Sequence, residues 1–180
     1  MSLAHVLLTS LIEKPSNGIE LARRFDKSMG FFWGATHQQI YRELNLMLRK
    51  GWISTVEDPN HLHSRKKTYQ VEQLGRTELA AWMLKTSEPA QLREELMVRL
   101  RAEAQLNENT IIPELENHLR IHQEKLNLYQ TIFEKDFADQ NIDNRTLYIH
   151  KMILQLGINM EREWIHWFNE IIPQLKQFNT

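Results

Sequence analysis

The 180-residue sequence contains no cysteine. Disulfide frameworks, thiolate nucleophiles and zinc ribbons are excluded with it. Glycine is scarce, with six residues, and no glycine-rich loop follows a strand-like run, so no phosphate cradle is in sight. No apolar run approaches the ~20 residues of a membrane span. The start MSLAHVLLTSLIEK lacks the basic segment of a secretory leader. A cytoplasmic location is therefore expected. A dominant charge sign is missing too: 22 Lys/Arg against 23 Asp/Glu leave a net charge of −1. With 42% hydrophobic residues the chain reads as globular, one ordinary domain or two small ones.

The near-neutral total hides an asymmetry. Residues 1–85 hold twelve Lys/Arg and eight Asp/Glu, a balance of +4; residues 86–180 hold ten and fifteen, a balance of −5, together the net −1. Thr86-Ser87-Glu88-Pro89, at the change of sign, is the best boundary signal in the chain. It predicts two domains, 1–86 and 87–180.

The basic half carries one stretch with marked ends. Thr36 followed by Gln39 fits a capping box, and Gly51 is the residue type that closes a helix in the left-handed conformation. Between them Ile40, Leu44, Met47 and Leu48 recur at helical spacing. The other face carries His37, Gln38, Tyr41, Arg42, Asn45 and Arg49, side chains able to hydrogen-bond base edges or phosphates in a major groove. Alone, such a stretch is better explained by an ordinary amphipathic helix with a solvated face.

Its neighbours change that reading. Ser2 caps a predicted first helix with Leu3, Val6, Leu7, Leu11 and Ile12 facing inward, ending before Pro15. Asn17 with Glu20 opens a second, residues 18–29, with Ile19, Leu21, Ala22 and Phe25 toward the core. Gly30-Phe31-Phe32-Trp33-Gly34 makes an aromatic turn that more often anchors helices than binds a ligand. Three helices with a short turn before the third form a helix-turn-helix unit. Trp52-Ile53-Ser54-Thr55-Val56 and Lys67-Thr68-Tyr69-Gln70-Val71 then suit paired strands. The loop between them ends in Arg65, Lys66 and Lys67. A basic hairpin directly after a recognition helix is a wing, and its cations would meet the DNA backbone or minor groove. A fourth helix, residues 72–85, is expected to bury Leu74, Leu79, Ala80 and Trp82 or Met83.

The second half reads as helix throughout: residues 90–106, then from about residue 110 with Pro113 in the first turn, then residues 144–178. Ile112, Leu115, Leu119, His122, Leu126, Tyr129 and Phe133 alternate three and four apart, the seam of a coiled coil, with Phe137 four residues further on. The last helix carries Leu147, Ile153, Leu154, Met160, Trp164, Trp167, Phe168, Ile171 and Leu175. Helices this long and apolar on more than one face would leave a large exposed patch in a monomer. A homodimer built on residues 86–180 is expected, with Leu115, Leu119, Leu126, Tyr129, Phe133, Leu154, Trp164, Trp167, Phe168 and Ile171 at its interface.

Enzyme chemistry finds no support. His118 and His122 stand four apart on one helix, the spacing of a metal pair, but no zincin motif surrounds them, and seam and flank positions explain both. His61 and His63 fall in the wing loop, and Glu161 and Glu163 point to different helix faces. Trp164 and Trp167 could line a ligand pocket, although dimer core is the commoner fate. Neither a metal site nor a cofactor is expected.

Several segments resemble the PadR family of transcriptional regulators, in its quorum-sensing virulence-activator (AphA-like) branch: Ser2-Leu3-Ala4-His5-Val6-Leu7-Leu8, Gly18-Ile19-Glu20-Leu21, Phe32-Trp33, His37-Gln38-Gln39-Ile40-Tyr41-Arg42-Glu43-Leu44, Lys50-Gly51-Trp52-Ile53, Tyr69-Gln70-Val71, Leu74-Gly75-Arg76 and Arg93-Glu94-Glu95-Leu96. Two positions depart from the family: Ile19 stands where an aromatic is usual, and Glu72 where a Thr usually caps the fourth helix. The resemblance covers essentially the whole chain. It implies a mainly α protein: an N-terminal winged helix-turn-helix, then a C-terminal domain of long helices dimerising as an antiparallel coiled coil, on palindromic promoter DNA. It also implies Gln38, Tyr41, Arg42 and Asn45 as groove readers, Arg65, Lys66 and Lys67 as the wing, and a small-molecule effector between the domains, which nothing in the sequence identifies. The alternatives are a regulator whose DNA affinity is set by a ligand near Trp82 or residues 30–34, and a helical protein-interaction module without sequence-specific DNA binding.

Overall fold

The computed structural model describes residues 3–26, 33–57, 67–89, 91, 93–106, 110–137 and 144–178. They form two compact units, Met1–Ala90 and Gln91–Thr180.

In the first unit helix α1 (Leu3–Glu13) stops where Pro15 disfavours helical backbone at the residue before it. Its inward face is wider than the apolar pattern predicts, since Ala4, His5, Leu8 and Ser10 are buried as well. Strand β1 (Ser16–Asn17) follows, and Asn17 also opens helix α2 (Gly18–Asp26). Its Oδ1 accepts from the amides of Ile19 (3.1 Å) and Glu20 (3.0 Å), while its own amide donates to Glu20 Oε2 (3.3 Å). This reciprocal box satisfies donors that a helix start otherwise leaves unpaired. Leu21, Ala22 and Phe25 face the core. Ile19 does not: it is 48% exposed, because it lies about 120° around the helix from Phe25 at 100° per residue. Residues 27–32, including most of the expected aromatic turn, lie outside the described residues.

Helix α3 (His37–Arg49) leads to strands β2 (Ile53–Glu57) and β3 (Lys67–Val71), an antiparallel hairpin in the register Ile53↔Val71 to Glu57↔Lys67. β1 adds to the far side of β3 through Ser16↔Tyr69 and Asn17↔Thr68, giving the order β1-β3-β2. Two residues carry no period-2 signal, so only the fold reveals this strand. The core joins Leu7, Leu8 and Leu11 to Leu21, Phe25, Ile40, Leu44, Met47 and Ile53. Each such side chain contributes about 1.5–3 kcal/mol on leaving water.

Helix α4 (Gln73–Met83) packs differently from the expectation. Leu74, Ala80 and Met83 are exposed. Leu79 packs on the core, and the buried residue is Gly75. With no side chain there, the first turn approaches the Trp52 carbonyl, which accepts from the Glu72 amide at 2.9 Å. Trp82 is half-buried and stacks on the His5 ring, centroids 4.6 Å apart. Glu72 makes no side-chain cap; its carboxylate instead accepts from Ser54 Oγ.

The second unit holds α5 (Glu95–Leu106), α6 (Ile112–Phe137) and α7 (Arg145–Phe178). Helix α5 begins later than expected, at the point where Glu94 Oε1 accepts from the Leu96 amide. Asn144 opens α7 through its Oδ1 and the Thr146 amide (2.8 Å). The 34 residues of α7 make about 51 Å of helix. It runs antiparallel to α6: Lys176 reaches Glu116 (2.6 Å), Glu161 bonds His122, and Lys151 lies over the Phe133 ring (5.2 Å). Leu96, Leu115, Phe168 and Ile172 form the buried centre. The predicted seam is real, but its partner is α7 of the same chain. Of the expected dimer residues, Leu115 and Phe168 are wholly enclosed within this chain and Tyr129 nearly so. Leu119, Leu126, Phe133, Leu154, Trp164, Trp167 and Ile171 remain half-buried.

Candidate nucleic-acid interface

Both ends of α3 are fixed by local chemistry. Thr36 Oγ1 accepts from the Gln39 amide (3.2 Å), and Gln39 Oε1 accepts from the Thr36 amide (2.8 Å). At the other end Gly51 takes φ of 66°, and the amides of Gly51 and Trp52 donate to the carbonyls of Leu48 and Met47, both at 3.0 Å. This is a Schellman close, and the left-handed residue within it costs least as glycine.

Ile40, Leu44 and Met47 anchor one edge of the helix with no exposed surface. His37, Gln38, Tyr41, Arg42, Asn45 and Arg49 are all exposed, and they span an arc of about 140° at helical spacing. Burial of one edge therefore orients a contiguous polar strip toward solvent. That strip offers two guanidiniums for guanine O6/N7 and two side-chain amides for adenine N6/N7. Tyr41 is 39% exposed, its ring lying against Gly18 at the start of α2. Tyr69 of β3 is near enough that burial, and secondarily Tyr41, push its phenol pKa up.

In the hairpin, Lys67 is exposed at the start of β3 in register with Glu57. Arg65 and Lys66, like His61 and His63, lie outside the described residues. Other cations of this unit serve the fold. Arg24 donates to the carbonyls of Ser10 (3.0 Å) and Lys14 (2.8 Å) and to Ser16 Oγ (2.7 Å), which ties α2 to the end of α1. Lys50 sits 4.2 Å from the Trp52 ring centroid. A charge count does not separate these from cations left for a ligand.

The two histidines of α6 are engaged. His122 Nδ1 hydrogen-bonds Glu161 of α7, and its ring stacks on Trp164 at 5.4 Å. His118 Nε2 lies 3.5 Å from Glu114. Among the described residues no group of three or more His, Asp or Glu is placed to hold a metal ion. The buried Glu161 was legible in principle, since it continues the spacing of Ile158 and Phe168 along the α7 stripe. Trp164 and Trp167 line an open groove on α7 of about 470 Å³ with Asn159, Met160 and Glu163. Among the described residues no helix is long and apolar enough to cross a membrane.

A helix-turn-helix with a following β-hairpin defines the first unit as a winged-helix domain of the regulator type, with α3 as its presented helix. Residues 7–81 match the Transcriptional regulator PadR-like family, and residues 92–176 match Virulence activator alpha C-term. A probable transcriptional regulator of Mycobacterium tuberculosis is 34% identical over 98% of this chain and 99% of its own. The chain belongs to the PadR-like family of transcriptional regulators. Among solved structures it is similar to the virulence activator AphA of Vibrio cholerae, with TM-score 0.79, 26% identity and coverage of 98% and 99% of the two chains. PadR of Bacillus subtilis in complex with operator DNA shares the fold at TM-score 0.83, with 23% identity and 96% and 97% coverage.

Proposed function

We propose that this chain regulates transcription without catalysis, binding promoter DNA in the cytoplasm as a homodimer through residues 1–86 and dimerising through residues 87–180. His37, Gln38, Tyr41, Arg42, Asn45 and Arg49 enter the major groove, and Arg65, Lys66 and Lys67 contact the backbone beside it. The observation that carries this reading is the polar strip of α3, capped at both ends and pinned by one buried edge. The operator complex of the B. subtilis relative supports it as well.

Dimerisation has its own support. Ile149, Met152, Ile153, Leu156 and Met160 are exposed along α7 and fall within an arc of about 100°. Since α6 already fills the opposite seam, this row is the part of the helix pair left for a second copy. Two copies then set two recognition helices about one turn, or a multiple, apart on palindromic DNA.

The test is selection of bound fragments from the source genome, followed by titration of the selected site and of random DNA. Arg42→Ala loses about 1–3 kcal/mol on the selected site and little on random DNA. Lys67→Ala weakens both alike and lowers the salt dependence by about one ion. Equal loss on both DNAs removes the base-reading role of Arg42. Absence of any selected fragment removes DNA binding altogether, and a monomer by light scattering at micromolar concentration removes the dimer.

A further inference from the structure

Gly18 needs a different explanation from Gly51. Its φ lies outside the left-handed region, so the backbone there suits any residue. What fills the space is the phenol of Tyr41. A Cβ built on Gly18 would stand 2.5 Å from Tyr41 Cε1 and 3.0 Å from both Cζ and the hydroxyl oxygen. The ring edge thus rests directly on the first residue of α2. The Asn17–Glu20 box holds that residue in place, and the pairing of Asn17 with Thr68 holds the box against the sheet. Next along β3, Tyr69 pairs with Ser16, and its phenol senses Tyr41.

We infer that Gly18 is a positioning residue for recognition: it is the seat that fixes the direction of the Tyr41 phenol on α3, and so helps determine which base step that phenol meets. This rests on α3 being the DNA-reading helix. A tyrosine on an exposed helix face is otherwise free to choose among rotamers, and each unfixed choice weakens and blurs a contact. Here one side of the ring is held by the preceding helix and the other remains exposed. The two-residue strand β1 gains a purpose from this. By pairing with β3 it ties the start of α2, and hence the seat, to the hairpin.

Gly18→Ala tests the inference because the neighbour it strikes is the end of a mobile side chain rather than backbone. The ring is displaced and the fold retained, with melting within about 3 °C of the parent, since alanine suits a helix better than glycine. Affinity for the selected site falls about five- to 150-fold, the size of one lost base-edge contact, while random-DNA affinity and salt slope stay unchanged. In a Tyr41→Ala background the same substitution has no further effect on specific binding, the signature of a coupled pair. Additive losses, or no loss from Gly18→Ala alone, overturn the seat. If Gly18→Ala lowers the melting temperature more than stated, Tyr41→Ala must restore it, and failure to restore it also counts against the inference. Ring resonances of Tyr41, assigned with Tyr41→Phe and followed by NMR without DNA, report the seat independently. Unchanged resonances in Gly18→Ala refute the seat itself, whereas shifted resonances in a protein that selects no DNA refute the recognition reading.

Discussion

Replacing Gly75 by alanine puts a methyl group where α4 meets the backbone at the start of the hairpin. That methyl would overlap the Trp52 carbonyl oxygen and stand 3.1 Å from both the Trp52 carbonyl carbon and Leu8 Cδ2. The obstacle is backbone, so no rotamer change relieves it. The same carbonyl accepts the Glu72 amide at 2.9 Å, the bond that brings the chain into α4. Alanine gains about 1 kcal/mol over glycine in helix propensity. Against this, overpacking costs about 1–3 kcal/mol and a disturbed hydrogen bond about 0.5–1.5 kcal/mol. The net is a loss of about 0.5–3.5 kcal/mol, or about 2–28 °C in the melting temperature of a unit this size. Gly34→Ala is the control, with nothing within 4 Å of its Cβ and a φ outside the left-handed region. It leaves the melting temperature level or raises it slightly by restricting the unfolded chain. Calorimetry on the three proteins decides the matter. A Gly75→Ala protein as stable as the Gly34→Ala one would show that α4 has room to shift and that close approach does not explain this glycine.

Three further outcomes follow from the geometry. Thr36→Ala removes the acceptor for the Gln39 amide and costs about 1 kcal/mol, whereas Thr36→Ser keeps it; equal amide exchange at Gln39 in the two variants would contradict the capping role. Phe168→Ala empties the centre of the second unit at a cost of about 3–5 kcal/mol; hydrogen exchange should rise in α6 and α7 while α1 to α3 stay protected, and equal loss in both units would refute their independence. Burial raises the phenol pKa of Tyr69, with a smaller contribution from Tyr41, and burial raises that of Tyr129, with a smaller contribution from Glu161. Because the folded values lie above the unfolded one, their contribution is complete below the ordinary value of 10.0. It is lost as pH rises through the folded values. Urea midpoints should therefore fall on the alkaline side, less steeply in the corresponding Tyr→Phe variants; identical slopes would rule the phenols out.

Local signals proved sufficient where local physics decides. The Thr36–Gln39 box, the Gly51 close and the Asn17–Glu20 box involve residues within a few positions of each other, and each reads the same in sequence and structure. Long-range choices did not read so well. Leu74 and Ala80 fit an apolar stripe, yet α4 buries its glycine edge, because approach to the Trp52 backbone outweighs hiding two side chains. Arg24 adds to the positive balance of the first half, but three acceptors in the preceding segment take it up.

The sequence by itself determined the order of the helices and the two strands of the hairpin, though not β1, as well as which edge of α3 is buried and that the second half is long helix with a three-four seam. Periodicity and caps carry that information within single segments. Only the tertiary structure decided what fills the seam. An apolar stripe states how much surface must leave water, but it is silent on whether the covering helix comes from the same chain or from another. Here α7 folds back on α6 and encloses Leu115 and Phe168, and the row from Ile149 to Met160 is left exposed. The seat of Tyr41 on Gly18 is of the same kind. Two residues far apart in sequence meet because α2 and α3 pack into one core, and no period in either segment announces it.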